Sequence, residues 1–195
     1  TSFTICAIGY SKKIIRRSEC NLNDDIYLTG NIGDSFVGLC FLKKKIRSSS
    51  KIKKYFINSY FKPNLSFGFH NELNKFASSS MDVSDGLLLD LKKLIGNKKL
   101  GYILDFNVLP RSNYFNQLEK KNKISAKKFL FNGDDYQILF TSKKKHRKII
   151  NKYAKKWNQK ITRIGYITSR SANYLKFSNY LKKIDNYQGY IHSFN

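Results

Sequence analysis

Residues 81–91 change from a strand pattern to a helix pattern, and this change constrains the fold more than any other feature of the chain. Met81 and Val83 alternate with Asp82 and Ser84, which is the period of two that strands show. Leucines then recur at helical spacing after a glycine. The sequence therefore predicts a strand that runs directly into the N-terminus of a helix, with acidic and hydroxyl side chains at the junction.

That junction has two interpretations. In the first, Ser84 or Asp85 is the helix N-cap and Asp82 is a solvated residue at the strand end. In the second, Asp82 and Asp85 bind magnesium beside a polyphosphate, while Ser84 and nearby backbone N–H groups contact the phosphate oxygens. Magnesium prefers oxygen ligands and usually shares them between one or two carboxylates and substrate phosphates. The Asp-x-Ser-Asp-Gly pattern alone does not decide between the two.

The chain carries a formal net charge of +24, from 37 Lys and Arg against 13 Asp and Glu. Such an excess attracts anions such as nucleotides, nucleic acid or acidic lipid. The basic residues are spread along the sequence rather than gathered in a tail, so we interpret most of them as a solvated face. A nucleic-acid-binding module stays an alternative, but nucleic acid is not the partner we expect.

The cysteines indicate a compartment. Cys6, Cys20 and Cys40 are odd in number and have no metal-ligand spacing, so we interpret them as free thiols in a reducing environment. No run approaches the ~20 apolar residues of a membrane span, and no signal peptide is recognisable. We therefore expect a cytoplasmic protein without a membrane partner.

Strand and helix patterns interleave along the chain. Strands are predicted at 2–10, 26–29, 102–109, 136–141, 161–168 and 174–177. Helices are predicted at 36–40, 48–60, 69–79, 87–95, 125–131 and 144–157. With 195 residues, 41% of them apolar, this predicts an α/β or α+β layered domain with a substantial core.

Several segments, in one order, give the chain a resemblance to a known family. They are Ile15-Arg16-Arg17-Ser18, Asp25-Ile26-Tyr27-Leu28-Thr29-Gly30, Gly33-Asp34-Ser35 with Gly38-Leu39, Met81 to Leu87, Gly133-Asp134-Asp135-Tyr136, Ile164-Gly165 and Gly189-Tyr190 with His192. Over nearly its whole length the chain resembles thiamine-monophosphate kinase, of the aminoimidazole-ribonucleotide synthetase-like superfamily. The resemblance implies that superfamily's C-terminal domain fold and ATP-dependent, magnesium-dependent phosphorylation of thiamine phosphate to thiamine diphosphate.

The resemblance also implies six ligand-binding residues, one pair for each ligand. The pairs are Asp82 and Asp85 for magnesium, Arg17 and Ser84 for ATP, and Asp134 and Tyr190 for thiamine phosphate. This agrees with the second interpretation of the junction, because phosphoryl transfer depends on positioning and on cations. The alternative for Tyr190 is ordinary packing.

The chain departs from the family pattern at several positions. Asp134 stands where the family has Glu, and its shorter side chain would allow a water-mediated contact. Gln137 replaces another family Glu, and Ile191 replaces a family Asp. Asn23 and Asn132 occupy family glycine positions, where we expect asparagine to tolerate left-handed backbone.

The family's N-terminal ATP-binding domain has no counterpart in the sequence. We expect residues 1–17 to be the last strand and exit of that missing domain, and residues 18–195 to be the C-terminal α/β domain. The resemblance implies a homodimer in the full-length form. We therefore expect this chain alone to bind magnesium nucleotide poorly and to turn over negligibly. The remaining alternatives are another ATP-dependent member of the superfamily and an inactive fragment.

Overall fold

A single mixed sheet organises the computed structural model, which describes residues 4–6, 8–10, 13–125 and 127–184. Its strands are β1 Asp25–Thr29, β2 Ala77–Asp82, β3 Gly101–Asp105, β4 Ile138–Ser142, β5 Ile161–Thr168, β6 Tyr174–Lys176 and β7 Leu181–Lys183. Their order is β2-β4-β1-β5-β3-β6-β7. Neighbouring strands are antiparallel except β3 and β6, which are parallel.

Helices pack on both faces of this sheet. They are α1 Asp34–Leu42, α2 Ser50–Phe61, α3 Leu87–Ile95, α4 Asn113–Lys120 and α5 Arg147–Lys156. Short 3₁₀ turns lie at Phe69–Lys75, Phe106–Val108, Lys128–Phe131 and Lys144–His146. None of the helices among the described residues has the length and apolar character needed to cross a bilayer.

The alternation of side chains along β1 separates two apolar layers. Ile26 and Leu28 face the larger layer, which also contains the buried side chains of α1 to α4. Tyr27 faces the smaller layer, which contains Ile150 of α5 and the buried side chains of the Phe69–Lys75 turn. Burying one such large apolar side chain stabilises the fold by about 1.5–3 kcal/mol. The predicted layered α/β architecture is confirmed.

The predicted helix at 69–79 is wrong in its second half. A 3₁₀ turn occupies Phe69–Lys75, and β2 begins at Ala77. Ser79 pairs with Thr141 of β4, and their buried hydroxyl groups lie 2.8 Å apart. Pairing with β4 therefore determines the conformation here. The backbone N–H and C=O groups of these residues bond to β4 and not to one another, as they would in a helix.

The predicted strand at 102–109 ends at Asp105, where the 3₁₀ turn Phe106–Val108 follows, and other predictions differ from the structure too. Residues 4–6 and 8–10 of the predicted first strand have no regular secondary structure, and Ile5 and Ile8 are exposed. A strand needs a hydrogen-bonded neighbour, and among the described residues the sheet offers none to this segment. Among the described residues of the predicted helix at 125–131, the structure has a 3₁₀ turn at Lys128–Phe131 and no α-helix. The proposed division of the chain at residue 17 stays a prediction.

Candidate functional site

A cavity of about 620 Å³ lies beside the junction between β2 and α3. Its lining residues are Phe36, Leu39, Lys43, Tyr60, Ser84, Asp85, Asn132, Gly133, Asp134 and Tyr136. Ser84, Asp85 and Asp134, three of the six predicted ligand-binding residues, therefore share one cavity. Its volume lies within the range of small-molecule sites.

The turn that carries Asp134 is paired along its length with the junction. The backbone N–H of Val83 donates to Gln137 O and that of Tyr136 donates to Val83 O, both at 2.9 Å. Asp134 N–H donates to Ser84 O at 3.0 Å. This pairing continues the β2–β4 ladder beyond the last ladder pair of those strands and brings Asp134 next to Ser84.

Glycine is required where the two segments approach most closely. A Cβ atom on Gly133 would lie 1.7 Å from the carbonyl oxygen of Ser84, so no other residue fits without moving the backbone. The next positions are strained, because Asp134 and Tyr136 have φ angles of 66° and 50°. Non-glycine residues with positive φ cluster at functional sites, and both of these side chains line the cavity.

Asp135, between those two residues, faces the protein interior and anchors the turn. Its Oδ2 accepts a hydrogen bond of 2.6 Å from Gly33 N–H, and its Oδ1 accepts one of 3.2 Å from Ser35 N–H. Burial raises the pKa of this carboxyl to about 7, against the opposing effect of the two hydrogen bonds. The turn is thereby fixed to the start of α1, whose residues Phe36 and Leu39 line the cavity.

Asp90 of α3 fixes the other side of the junction. Its carboxylate is fully buried, and Oδ2 accepts hydrogen bonds from the N–H groups of Ser84 and Asp85 at 3.0 Å and of Gly86 at 3.2 Å. These three N–H groups are therefore already satisfied within the protein, and the contact between backbone N–H groups near the junction and phosphate stays a prediction. The helix satisfies the donors at its own N-terminus with an acidic side chain of its first turn.

The first interpretation of the junction is wrong about the helix cap, although it correctly placed Asp82 as an exposed residue at the strand end. Gly86, with φ 119°, is the N-cap residue of α3, so the residue at the N-cap position has no side chain with which to cap the helix. A Cβ on Gly86 would lie 2.8 Å from the backbone of Phe131, which explains why a glycine with free φ stands between the strand and the helix. The Ser84 and Asp85 side chains are therefore not committed to capping α3.

Lys93 occupies the acidic side of the junction. Its Nζ forms a salt bridge with Asp85 Oδ2 and a second one, of 3.0 Å, with Asp90 Oδ1. Burial lowers the pKa of the Lys93 ammonium, but the hydrogen bonds to Asp85 and Asp90 outweigh burial and raise it. The Asp85 carboxylate is thus paired with a lysine.

Asp82 is the last residue of β2 and is exposed. It lies two residues before Ser84, which is beyond the end of the strand, and it does not line the cavity that Ser84 lines. Tyr136 donates a hydrogen bond of 3.5 Å to Asp134 Oδ1. The pKa of Tyr136 is raised by burial first, then by Asp134 and by the charge of Asp82. The carboxylates of Asp82 and Asp134 therefore both lie close enough to Tyr136 to act on its phenol.

Asp82 and Asp85 meet the demands of magnesium unequally. Among the described residues, no group of three or more His, Cys, Asp or Glu side chains could hold a metal ion. Magnesium needs only one or two carboxylates when phosphates supply further oxygens. In that mode Asp82, which has no ion pair within the described part of the chain, fits as a ligand. Asp85 fits only if Lys93 moves.

Arg17 and Tyr190 are not brought into this cavity by the described residues. Arg17 is exposed, and the N–H of its neighbour Ser18 donates to Leu94 O at 2.9 Å, near the C-terminal end of α3. The nine-residue helix separates that end from the junction by about 13 Å. The predicted Arg17 contact with ATP stays a prediction. Tyr190 lies outside the described residues.

Sequence reasoning missed the roles of Asp90, Lys93 and Asp135. Asp90 and Lys93 lie three residues apart on a helix that begins at the junction, a spacing that puts both side chains on one face. That spacing could have revealed a helix-borne anchor and its cation. Asp135 was quoted only as part of a motif, and no sequence signal shows that its side chain points away from the cavity.

The chain is similar in sequence to several proteins that share one name. The chain is 34% identical to the thiamine-monophosphate kinase of Buchnera aphidicola subsp. Schizaphis graminum over 194 residues, which are 98% of this chain and 60% of the relative. It is 31% identical to the enzyme of that name from Nitrosopumilus maritimus, over 86% of this chain and 53% of the relative. No family model matches. The chain thus spans about 60% of the length of the first of these relatives.

Solved structures agree with this picture. Thiamine-monophosphate kinase from Stenotrophomonas maltophilia superposes with a TM-score of 0.74 at 25% identity, covering 83% of this chain and 52% of that one. AaThiL complexed with AMPPCP and TMP gives a TM-score of 0.73 at 26% identity, covering 90% and 53%. Escherichia coli HypE, at 11% identity and a TM-score of 0.68, shares the fold alone.

Proposed function

This chain is a homologue of the thiamine-monophosphate kinases, and we propose that it supplies part of the site of an enzyme that phosphorylates thiamine phosphate to thiamine diphosphate with ATP. The observation that supports this most strongly is the shared cavity. Ser84, Asp85 and Asp134, the residues that match the family's ligand contacts, all line it. A homologue with the same fold binds AMPPCP, an ATP analogue, together with TMP.

The chemistry asks the protein for positioning more than for a covalent step. An oxygen of the substrate phosphate attacks the terminal phosphorus of ATP, a new P–O bond forms, and ADP leaves with the electrons of the broken bond. Magnesium, held by Asp82 and the phosphates, would neutralise charge on the transferring oxygens. Ser84 would donate a hydrogen bond to a phosphate oxygen from beside the junction.

Other cavity residues would hold the two substrates in place. Lys43 lines the same cavity and would bring positive charge to the phosphates. Asp134, beside the Tyr136 ring, would face the thiamine part, whose thiazolium ring is cationic. Tyr136, whose phenol is neutral at physiological pH, would act as a hydrogen-bond donor beside Asp134.

The rest of the proposal concerns the assembly. The active form would be a homodimer of the full-length protein, with Arg17 contacting ATP and Tyr190 contacting thiamine phosphate. The three cysteines are free, which fits a reducing, cytoplasmic location. The 195-residue chain by itself would turn over negligibly.

The test is an assay of the natural full-length protein with ATP, thiamine phosphate and MgCl₂. Thiamine diphosphate, separated by chromatography and quantified by fluorescence after oxidation, should form only when all three are present. Parallel reactions would replace thiamine phosphate with other phosphorylated metabolites. Turnover of one of those, with no thiamine diphosphate formed, would overturn the proposal.

A further inference from the structure

The ammonium of Lys93 lies between two carboxylates of the junction. It contacts Oδ2 of Asp85 and lies 3.0 Å from Oδ1 of Asp90. The other oxygen of Asp90 accepts three backbone N–H groups, so this carboxylate is fully committed to the fold. Lys93 is therefore the counter-cation of both carboxylates.

We propose that Lys93 is a resident cation of the candidate site, which occupies the Asp85 carboxylate and must be displaced before a divalent metal can bind there. This deepens the proposed function and rests on it only in taking a metal-bound polyphosphate as the ligand. A divalent cation on the Asp85 carboxylate would be repelled by an ammonium a few ångströms away, so Lys93 and the metal compete for this carboxylate.

Displacement of Lys93 is possible without unfolding the junction. About a third of the Lys93 side chain is exposed, so the ammonium can move toward solvent. When it leaves Asp85, its contact with Asp90, which is also on α3, can keep it near the junction. The long aliphatic stem can rotate while α3 stays packed through Leu87, Leu91 and Leu94, which are fully buried. Lys93 would thus lower the metal affinity of Asp85 and still leave a positive charge near the phosphates.

Metal binding to the natural full-length protein tests this directly. Free Mn²⁺, a paramagnetic substitute for Mg²⁺, would be titrated and followed by electron paramagnetic resonance, without ATP or thiamine phosphate. Lys93→Met should bind Mn²⁺ about tenfold more tightly than the natural protein at one site. That gain should vanish in the double variant Lys93→Met with Asp85→Asn.

Further variants of Lys93 show whether its charge or its shape limits Mn²⁺ binding. Lys93→Gln, which keeps a hydrogen-bond donor but no charge, should show the same gain as Lys93→Met and serves in its place if Lys93→Met does not fold. Lys93→Arg keeps the charge and should bind Mn²⁺ like the natural protein. Lys155→Met, which removes a lysine from the exposed surface of α5, should change nothing. Melting temperatures with and without Mn²⁺ provide a second readout, and Mn²⁺ should raise that of Lys93→Met most.

Equal Mn²⁺ affinity in Lys93→Met, Lys93→Gln and the natural protein would overturn the inference. So would a gain that persists when Asp85 is replaced by Asn. Neither result depends on turnover, so a failure to make thiamine diphosphate would contradict the proposed function and leave this measurement unaffected.

Discussion

The carboxylate of Asp135 accepts a hydrogen bond of 2.6 Å from the backbone N–H of Gly33, a residue 102 positions earlier in the sequence. This contact ties the turn that carries Asp134 to the start of α1. Both segments contribute walls to the same cavity. A buried side chain that does not line that cavity therefore fixes its shape.

The titration of Asp135 should make stability depend on pH. Its folded-state pKa of about 7 lies above the ordinary value, so the folded protein binds more protons than the unfolded chain between about pH 4 and pH 7. Stability should therefore fall as pH rises through that window, by about 2–3 kcal/mol between pH 5 and pH 7.5 from this group. Urea unfolding at pH 5 and at pH 7.5 gives the free energy of unfolding at each pH, and their difference measures this effect.

Asp135→Asn provides the comparison, because the amide does not titrate. The variant should be less stable at pH 5, since its NH₂ group faces a backbone donor, and its stability should change less between the two pH values. An equal pH dependence in both proteins would show that Asp135 titrates normally.

Replacing the Asp90 carboxylate should destabilise the junction strongly. Asp90→Ala leaves three N–H groups without their acceptor and removes one of the two salt bridges of Lys93, at a cost of about 3–5 kcal/mol. Asp90→Asn, which retains one acceptor oxygen, should cost less. Urea denaturation followed by circular dichroism would give both values. A midpoint for Asp90→Ala equal to that of the natural protein would contradict this role.

Asp82 should matter for turnover and little for folding. Its carboxylate is exposed and makes no ion pair within the described residues, so Asp82→Asn should unfold within about 0.5 kcal/mol of the natural protein. In the full-length enzyme the same change should abolish magnesium-dependent turnover. Glu19→Gln removes one exposed negative charge elsewhere and should leave activity unchanged. Full activity of Asp82→Asn would remove this residue from the metal site.

Asp134 should act on the thiamine substrate. Asp134→Asn keeps a residue that tolerates the left-handed backbone found there, so the turn should persist. Loss of the negative charge should raise KM for thiamine phosphate about tenfold and change kcat by less than about threefold. Steady-state assays at saturating ATP would separate the two, with Asp105→Asn as a control on β3. A rise in KM for ATP instead would reassign Asp134 to the nucleotide.

Local periodicity predicted much of the fold. The strand at 161–168 and the helix at 87–95, ended by Gly96 at φ 65°, appear where their patterns indicated. Asn23 has the left-handed φ expected of a residue at a family glycine position, whereas Asn132 is extended. The helix predicted through Ser79 failed because long-range pairing with β4 is invisible in a local window.

The sequence predicted residues that line the candidate site, but not which of their groups are already bonded within the protein. The motifs indicated Ser84, Asp85 and Asp134, and these line one cavity. The contacts that the junction can still make with a ligand depend on which of its groups already have partners within the protein. Asp90 accepts the backbone N–H groups, and Lys93 pairs with Asp85. Charge pairing of that kind is set by three-dimensional packing, so motif spacing alone could not reveal it.

A crystal structure of the natural full-length protein with magnesium, a non-hydrolysable ATP analogue and thiamine phosphate tests the central claim most directly. Phosphate oxygens should lie within hydrogen-bond distance of the Ser84 side chain, with a metal at Asp82 and the thiamine part beside Asp134. Binding of both ligands in the cavity on the other side of the turn, lined by Asp34, Gln137 and Trp157, would contradict the account.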